Sequence, residues 1–472
     1  MFSLQPHSPV PLVTQIVDGF RRLIDEHTLR PGAKVPSVRQ FAASHEVSAF
    51  TVADAYDRLV AQGCLVSRPQ QGFFVKRRVA EAPRAAGAAV NDFSFDSAWY
   101  LRKIFENRQL EMKPGCGWLP RDWLFEDGMK RALRQVSGDN IDLAGYGHPM
   151  GLPELRQHRA EALTEHEVVV SPDQVLLTQG SSQALDLVVR RLVRPGDAVL
   201  VDSPGYSNLL FILRVQGARL IGVPRTPTGY DLVALEALIA EHRPRLFFTQ
   251  PRLQSPSGST ATLTQLHRLL QISEKHDLTL VENDLYSDLD PDPRPSLASL
   301  DQINRVIYIN SFSKTFSPNV RVGYLVAHPD LIGDLAQLKM VAGLTSSELN
   351  ERLVLAAVTD TRWRRHLKAL RERLGQAQID TQAWLGALGF EVFGIPRAGM
   401  CLWARHPALA DSAEVAHDAA EHDIMLGPGH LFMPDLQPTD WFRFNVAFCA
   451  DPRVRAYLHS VIHRSDTRLL GR

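Results

Sequence analysis

The sequence predicts an α/β chain: a large domain on a mostly parallel sheet covered by helices, preceded by a small α+β head. Three observations carry this. After about residue 93, apolar strand-like runs alternate with helical stretches, the pattern of a doubly covered parallel sheet. Residues 79–92 contain the small, Ala/Gly/Pro-rich run Val79 to Val90, which reads as a linker. Residues 1–78 show helical spacing first and two short strand-like runs last. The expected domains are therefore 1–78, 79–92 as linker, and 93–472.

The bulk numbers agree with this division. At 472 residues the chain is too long for one compact core. It is 44% hydrophobic and 22% charged, the composition of a globular protein. Net charge is zero, so any surface for a polyanion must be local. No apolar run spans a bilayer, and Met1 to Val13 lacks the pattern of a secretory signal. The four cysteines, Cys64, Cys116, Cys401 and Cys449, are far apart with no CxxC pair, as expected of thiols in a reducing cytoplasm. No metal site is expected.

In the head, Leu12, Ile16, Phe20 and Leu23 recur at helical spacing. Arg30-Pro-Gly32 breaks the chain. Ser37 is placed to cap a helix carrying Val38, Phe41 and Ala42 inward, and Ser48 to cap another carrying Val52, Ala55, Tyr56 and Leu59. Gly63 suits the second helix's C-terminal stop. Leu65-Val66 and Phe73 to Val75 then read as strands around Arg68-Pro-Gln-Gln-Gly72. The order is helix, helix, turn, helix, two-stranded wing. Residues 1–78 hold an excess of four positive charges, which a solvated face explains nearly as well as a phosphate backbone.

Residues 8–76 resemble the GntR family of winged helix-turn-helix proteins through Leu29-Arg-Pro-Gly32, Val35-Pro-Ser-Val-Arg39, Val47-Ser48, Thr51-Val52, Ala55 to Leu59, Gly63 and Gly72 to Val75. The resemblance implies that the Ser48 helix enters the major groove and the wing touches the minor groove or backbone. Arg39, Ser48, Thr51 and the wing's Gly72 become the DNA-contact candidates. Two departures stand out: Ala49 where the family often has Arg, and Gln70-Gln71 in place of a Gly-rich wing tip.

In the large domain, strands are expected at Val175–Thr178, Ala198–Val201, Leu246–Thr249, Thr279–Glu282, Val306–Ile309 and Tyr324–Val326. The sharpest motif is Ser311-Phe-Ser-Lys-Thr-Phe-Ser-Pro-Asn-Val-Arg-Val-Gly-Tyr324. It follows a strand, which puts Lys314 at the ligand edge of such a sheet. Thr178-Gln-Gly-Ser-Ser-Gln-Ala-Leu185 turns from strand to helix through a glycine, a geometry whose backbone N–H groups bind phosphate.

These motifs, with Asp202-Ser-Pro-Gly-Tyr206, Tyr146 to Arg156 and Trp441-Phe-Arg-Phe-Asn445, resemble class I aminotransferases of fold type I over roughly residues 140–450. The resemblance implies pyridoxal 5'-phosphate (PLP) as cofactor and Lys314 as the catalytic Schiff-base residue. Ser311, Ser313 and Arg321 would contact phosphate, with Gly180, Ser181, Ser182 and Gln183 completing its cup. Tyr206 would stack on the ring, Tyr286 would bind the cofactor, and Tyr146 would reach the neighbouring subunit's phosphate. Arg443 would bind a substrate carboxylate. An arginine alternating with aromatics on a strand is equally explained by snorkelling.

Two family positions differ. An Asp three residues before the tyrosine normally pairs with the pyridine nitrogen. In Glu282-Asn-Asp-Leu-Tyr286 that register gives Asn283, while an acid two before the tyrosine would select Asp284. Strand alternation lets only one face the cofactor, and Glu282 anchors the register that favours Asn283. Ser255 replaces the asparagine that normally bonds the ring's phenolic oxygen.

Head and core together resemble the MocR subfamily. That implies a bacterial, cytoplasmic, PLP-binding transcription regulator that binds operator DNA as a homodimer, commonly head-to-tail, and responds to PLP, an amine or an amino acid. A working aminotransferase with an accessory DNA-binding head is the alternative.

Overall fold

The computed structural model describes residues 2–75 except 7, 9, 26–27, 30–31 and 69–71, and residues 111–470 except 140, 142–143 and 293, with backbone alone for 465–470. The expected linker at 79–92 and the Gln70-Gln71 tip lie outside these. The chain divides into two compact units, Met1–Phe93 and Ser94–Arg472.

In the first unit, α1 (Leu12–Asp25), α2 (Val38–His45) and α3 (Ala49–Ala61) are followed by the hairpin β1 (Leu65–Arg68) and β2 (Gly72–Val75). Ser37 closes a reciprocal cap with Gln40 at the start of α2, and the Ser48 hydroxyl accepts the Thr51 N–H at the start of α3. The helices bury Ile16, Phe20, Phe41, Val52, Tyr56 and Leu59 in one core. Phe20 and Tyr56 meet edge to face at 5.4 Å, and the Tyr56 hydroxyl donates to Pro36 O at 2.9 Å. β1 and β2 pair antiparallel, Leu65 opposite Val75 and Arg68 opposite Gly72.

The second unit is built on β3 (Val175–Thr178), β4 (Ala198–Ser203), β5 (Arg219–Thr226), β6 (Gly229–Tyr230), β7 (Leu246–Thr249), β8 (Thr279–Asn283), β9 (Val306–Ser311) and β10 (Gly323–Val326). Their order is β3-β10-β9-β8-β7-β4-β5-β6. The pairs from β9 through β8, β7 and β4 to β5 are parallel, whereas β10 runs antiparallel to both neighbours. Residues 312–322 form a short return without room for a helical crossover, which accounts for that reversal. Alternate residues serve two cores: Leu177, Phe247 and Leu280 face one, Leu176, Phe248 and Val281 the other.

A separate antiparallel sheet was not expected as such. It consists of β11 (Glu391–Val392), β12 (Cys401–Arg405), β13 (Gly427–Pro428) and β14 (Trp441–Asn445), ordered β11-β12-β14-β13. Its own apolar cluster, including Leu402, Phe442 and Phe444, packs with Leu370, Leu374 and Leu385 of the helix Trp363–Ala387. No described helix is long and apolar enough to cross a membrane.

Candidate functional site

The carboxyl ends of β3, β8 and β9 converge with β14 on one site. At its first corner, β3 turns through Gly180, whose φ is 76°, into the helix Gly180–Leu192. A Cβ on Gly180 would lie 2.6 Å from Arg321 Nη2, so the position needs glycine for both backbone and space. Arg321 Nη2 donates to Gln179 O at 3.1 Å, and its Nη1 reaches Ser313 Oγ at 3.5 Å. The Ser311 and Ser313 hydroxyls are 2.9 Å apart. Gly323 presses β10 against the helix start: a Cβ there would sit 2.8 Å from Ser181 N. A helix N-terminus, a guanidinium and two hydroxyls thus surround one point, a seat for a dianion. The Gln183 side chain is engaged locally, its Oε1 accepting the Gln179 N–H at 2.8 Å.

Lys314 ends the short turn after β9 and donates from Nζ to Gly117 O. Burial, aided by the nearby Arg443 charge, lowers its pKa from 10.5 to about 8. The ammonium lies 5.8 Å from the Tyr286 ring centre. Tyr286 is buried and shares a hydrogen bond with Ser255, and burial holds its phenol well above the ordinary range. Tyr206 bonds with Ser182 and Asn208, within electrostatic reach of Arg443 and Arg321. Asn208 Nδ2 donates to Ser182 Oγ at 3.2 Å.

Strand alternation separates the two candidates at the end of β8. Asn283 is 2% exposed, lines a narrow cavity with Tyr206, and has no hydrogen-bond partner for either amide atom. Asp284 lies on the opposite face: it accepts from Tyr308 Oη at 3.1 Å and stands 3.3 Å from Arg252 Nε. Glu282 shares that far face and accepts the Leu297 and Ala298 N–H groups at 3.0 and 2.8 Å. The structure therefore places Asp284 away from the cavity that Asn283 and Tyr206 share.

Arg443 on β14 is buried, with its guanidinium 4.6 Å over the Phe432 ring. Nη2 donates to Gly115 O at 2.6 Å, and Nη1 is 3.5 Å from Ser255 Oγ. Residues 115–117 thus hold both cations, Arg443 through Gly115 O and Lys314 through Gly117 O. Asn445 Nδ2 fixes this loop by donating to Trp118 O at 2.6 Å and Cys116 O at 3.1 Å. Sequence reasoning missed the loop; its sole signal was Gly-Cys-Gly at 115–117.

Tyr146, like Asp284, is an expected site residue that its own chain does not bring in, being 81% exposed. Its segment is anchored from below by a network also missed in the sequence. Buried Lys339 donates to Pro149 O and Leu177 O, both at 2.8 Å, and to Ser346 Oγ at 2.9 Å. Ser346 bonds Glu351, which accepts the Leu152 N–H at 2.7 Å.

In the head, Arg39 is exposed on the first turn of α2 and Gly72, at φ 98°, opens β2. The Ser48 and Thr51 hydroxyls are 2.8 Å apart, so the two candidate readers bond each other. Among the described residues, no cluster of His, Cys, Asp or Glu could hold a metal.

Residues 120–461 match the family described as aminotransferase class I and II, and residues 12–75 match the bacterial regulatory proteins of the gntR family. The chain belongs to the class I and II aminotransferase family and carries a GntR-type head. That pairing is the MocR arrangement. The HTH-type transcriptional regulator YdcR of Escherichia coli (strain K12) is 28% identical over 446 residues, 92% of this chain and 94% of its own length. The probable rhizopine catabolism regulatory protein MocR of Rhizobium meliloti is 29% identical over 388 residues, 80% of this chain and 78% of its own. Among solved structures, LysN, the α-aminoadipate aminotransferase of Thermus thermophilus complexed with N-(5'-phosphopyridoxyl)-L-leucine, is similar at TM-score 0.70 and 28% identity, covering 78% of this chain and 95% of LysN.

PLP is the cofactor implied by this family and by these structural neighbours. The residues present fit it at the phosphate seat, where a Cβ on Gly180 would fill the cradle, and at the buried amine. They offer an uncharged, unpartnered amide where the family usually supplies a carboxylate.

Proposed function

We propose that this chain is a ligand-responsive transcription regulator whose aminotransferase-like unit holds PLP as a sensor group. What supports this is a phosphate seat and a buried lysine beside an uncharged amide, Asn283, on the same chain as a GntR head. PLP supplies an aldehyde that captures amines and a ring that withdraws electrons when its nitrogen is protonated. Lys314 would carry the cofactor, while Gly180, Ser181, Ser182, Ser311, Ser313 and Arg321 would hold its phosphate. Tyr206 would stack on the ring. Ser255 and Tyr286, bonded to each other, would flank the phenolic oxygen. Asn283 Nδ2 would donate to the ring nitrogen, but an amide supplies no negative charge to keep a proton there.

Arg443 would receive the carboxylate of an amino acid by exchanging Gly115 O for it. That exchange releases one end of the 115–117 loop, whose other end is tied to Lys314, so ligand binding is coupled to loop position. Exposed Tyr146 would reach a second copy's phosphate in a head-to-tail homodimer.

The test is DNA binding by the full chain, using a duplex selected from a random library, measured with and without PLP and with a panel of amino acids. The expected result is a change in affinity of at least about fivefold with PLP or with one amino compound. DNA affinity indifferent to all of them, together with steady transamination, would establish the enzyme reading instead.

A further inference from the structure

Resting on the reading that the head binds DNA, we propose that it reads thymine. The apolar knuckle at the start of α3, made of exposed Ala49 and Phe50 beside half-buried Thr51, would take thymine C5-methyl groups in the major groove.

Phe50 is 84% exposed, while Phe20, Phe41 and Tyr56 of the same unit are fully packed. It sits on the first turn of α3, where recognition helices present side chains to base edges. The polar groups around it are already engaged. Ser48 Oγ accepts the Thr51 N–H at 3.0 Å and lies 2.8 Å from Thr51 Oγ1, so both hydroxyls serve the helix cap. Ala49, also exposed, has no donor or acceptor in its side chain. The face offered to the groove is therefore mainly apolar, and the major-groove feature that matches such a face is the thymine methyl.

The head also carries exposed cations that suit a phosphate backbone. Arg39 is exposed on α2, and exposed Lys34 and Arg68 flank the Phe74 ring on the wing at 5.9 and 4.5 Å. Asp54, the nearest acid along α3, is paired with Arg58 at 3.0 Å. These arginines and the lysine would hold the backbone and leave base choice to methyl contact.

The experiment selects sites for the full-length protein from a random duplex library, then replaces each thymine of the selected site by deoxyuridine, which lacks only the methyl. Affinities are compared for the wild type and Phe50→Ala, whose exposed position leaves folding unaffected. The expected result is thymine at fixed positions in each half-site, with affinity falling about three- to fivefold per contacted methyl removed. Phe50→Ala should bind the thymine duplex more weakly and lose discrimination against deoxyuridine. Equal affinity for both duplexes, or full discrimination retained by Phe50→Ala, overturns the proposal while leaving DNA binding standing. Failure to select any sequence by salt-sensitive binding overturns DNA binding itself, and this inference with it.

Discussion

Lys314 is buried beside a second cation, and that has a measurable consequence for its chemistry. Only the neutral amine captures an aldehyde. With the pKa lowered to about 8, the neutral fraction rises as pH passes through about 8, not 10.5. The rate at which apo-protein captures PLP should therefore climb with a midpoint near pH 8. Arg443→Gln removes one of the charges that depress it, so its midpoint should move upward; an unchanged or lower midpoint would contradict the assigned cause. Asn283 supports a second prediction. In Asn283→Asp the ring nitrogen of labelled PLP should take the chemical shift of a protonated pyridine, and the half-reaction with an amino acid should quicken at least about tenfold. The same variant without cofactor should lose about 1–3 kcal/mol in urea unfolding, because a buried carboxyl gains no partner there. Lys314 and Asn283 were legible because short motifs and strand alternation place them. The loop at 115–117 was not: its bonds to Lys314 and Arg443 join residues 197 and 328 positions apart. No local pattern signals such a contact.

Elements were legible where period and caps agreed. Ser37 and Ser48 announced α2 and α3, and both caps form in the structure. Ser48→Ala should cost about 1 kcal/mol of head stability by thermal unfolding. It should also free the Thr51 hydroxyl and blur the preference for thymine. The parallel strands were visible as buried apolar runs, but the direction of β10 follows from its short connection rather than its own residues. β11 and β13 are two residues long, too short for any alternation to register. At the turn after β3, Gly180→Ala forces a side chain against Arg321 in a backbone conformation that L-residues resist. PLP affinity should fall at least about tenfold with circular dichroism unchanged. Unaltered affinity would remove this turn from the phosphate seat.

At the scale of the whole chain, a neutral total conceals an excess of positive charge in the head. DNA binding should therefore weaken steeply with salt, and Arg39→Ala should reduce the log–log slope by about one without changing which sequence is preferred. The compositional break proposed at 79–92 lies beside the boundary of the two compact units, Met1–Phe93 and Ser94–Arg472. The proposed reach into a second copy rests on Tyr146, whose exposed side chain another subunit would cover in that arrangement. The central claim, however, is covalent. Purified protein incubated with PLP, reduced with borohydride and digested should yield a single pyridoxyl-modified peptide, the one containing Lys314, and Lys314→Ala should yield none. A modification spread over surface lysines, or absent from the Lys314 peptide, would contradict the account.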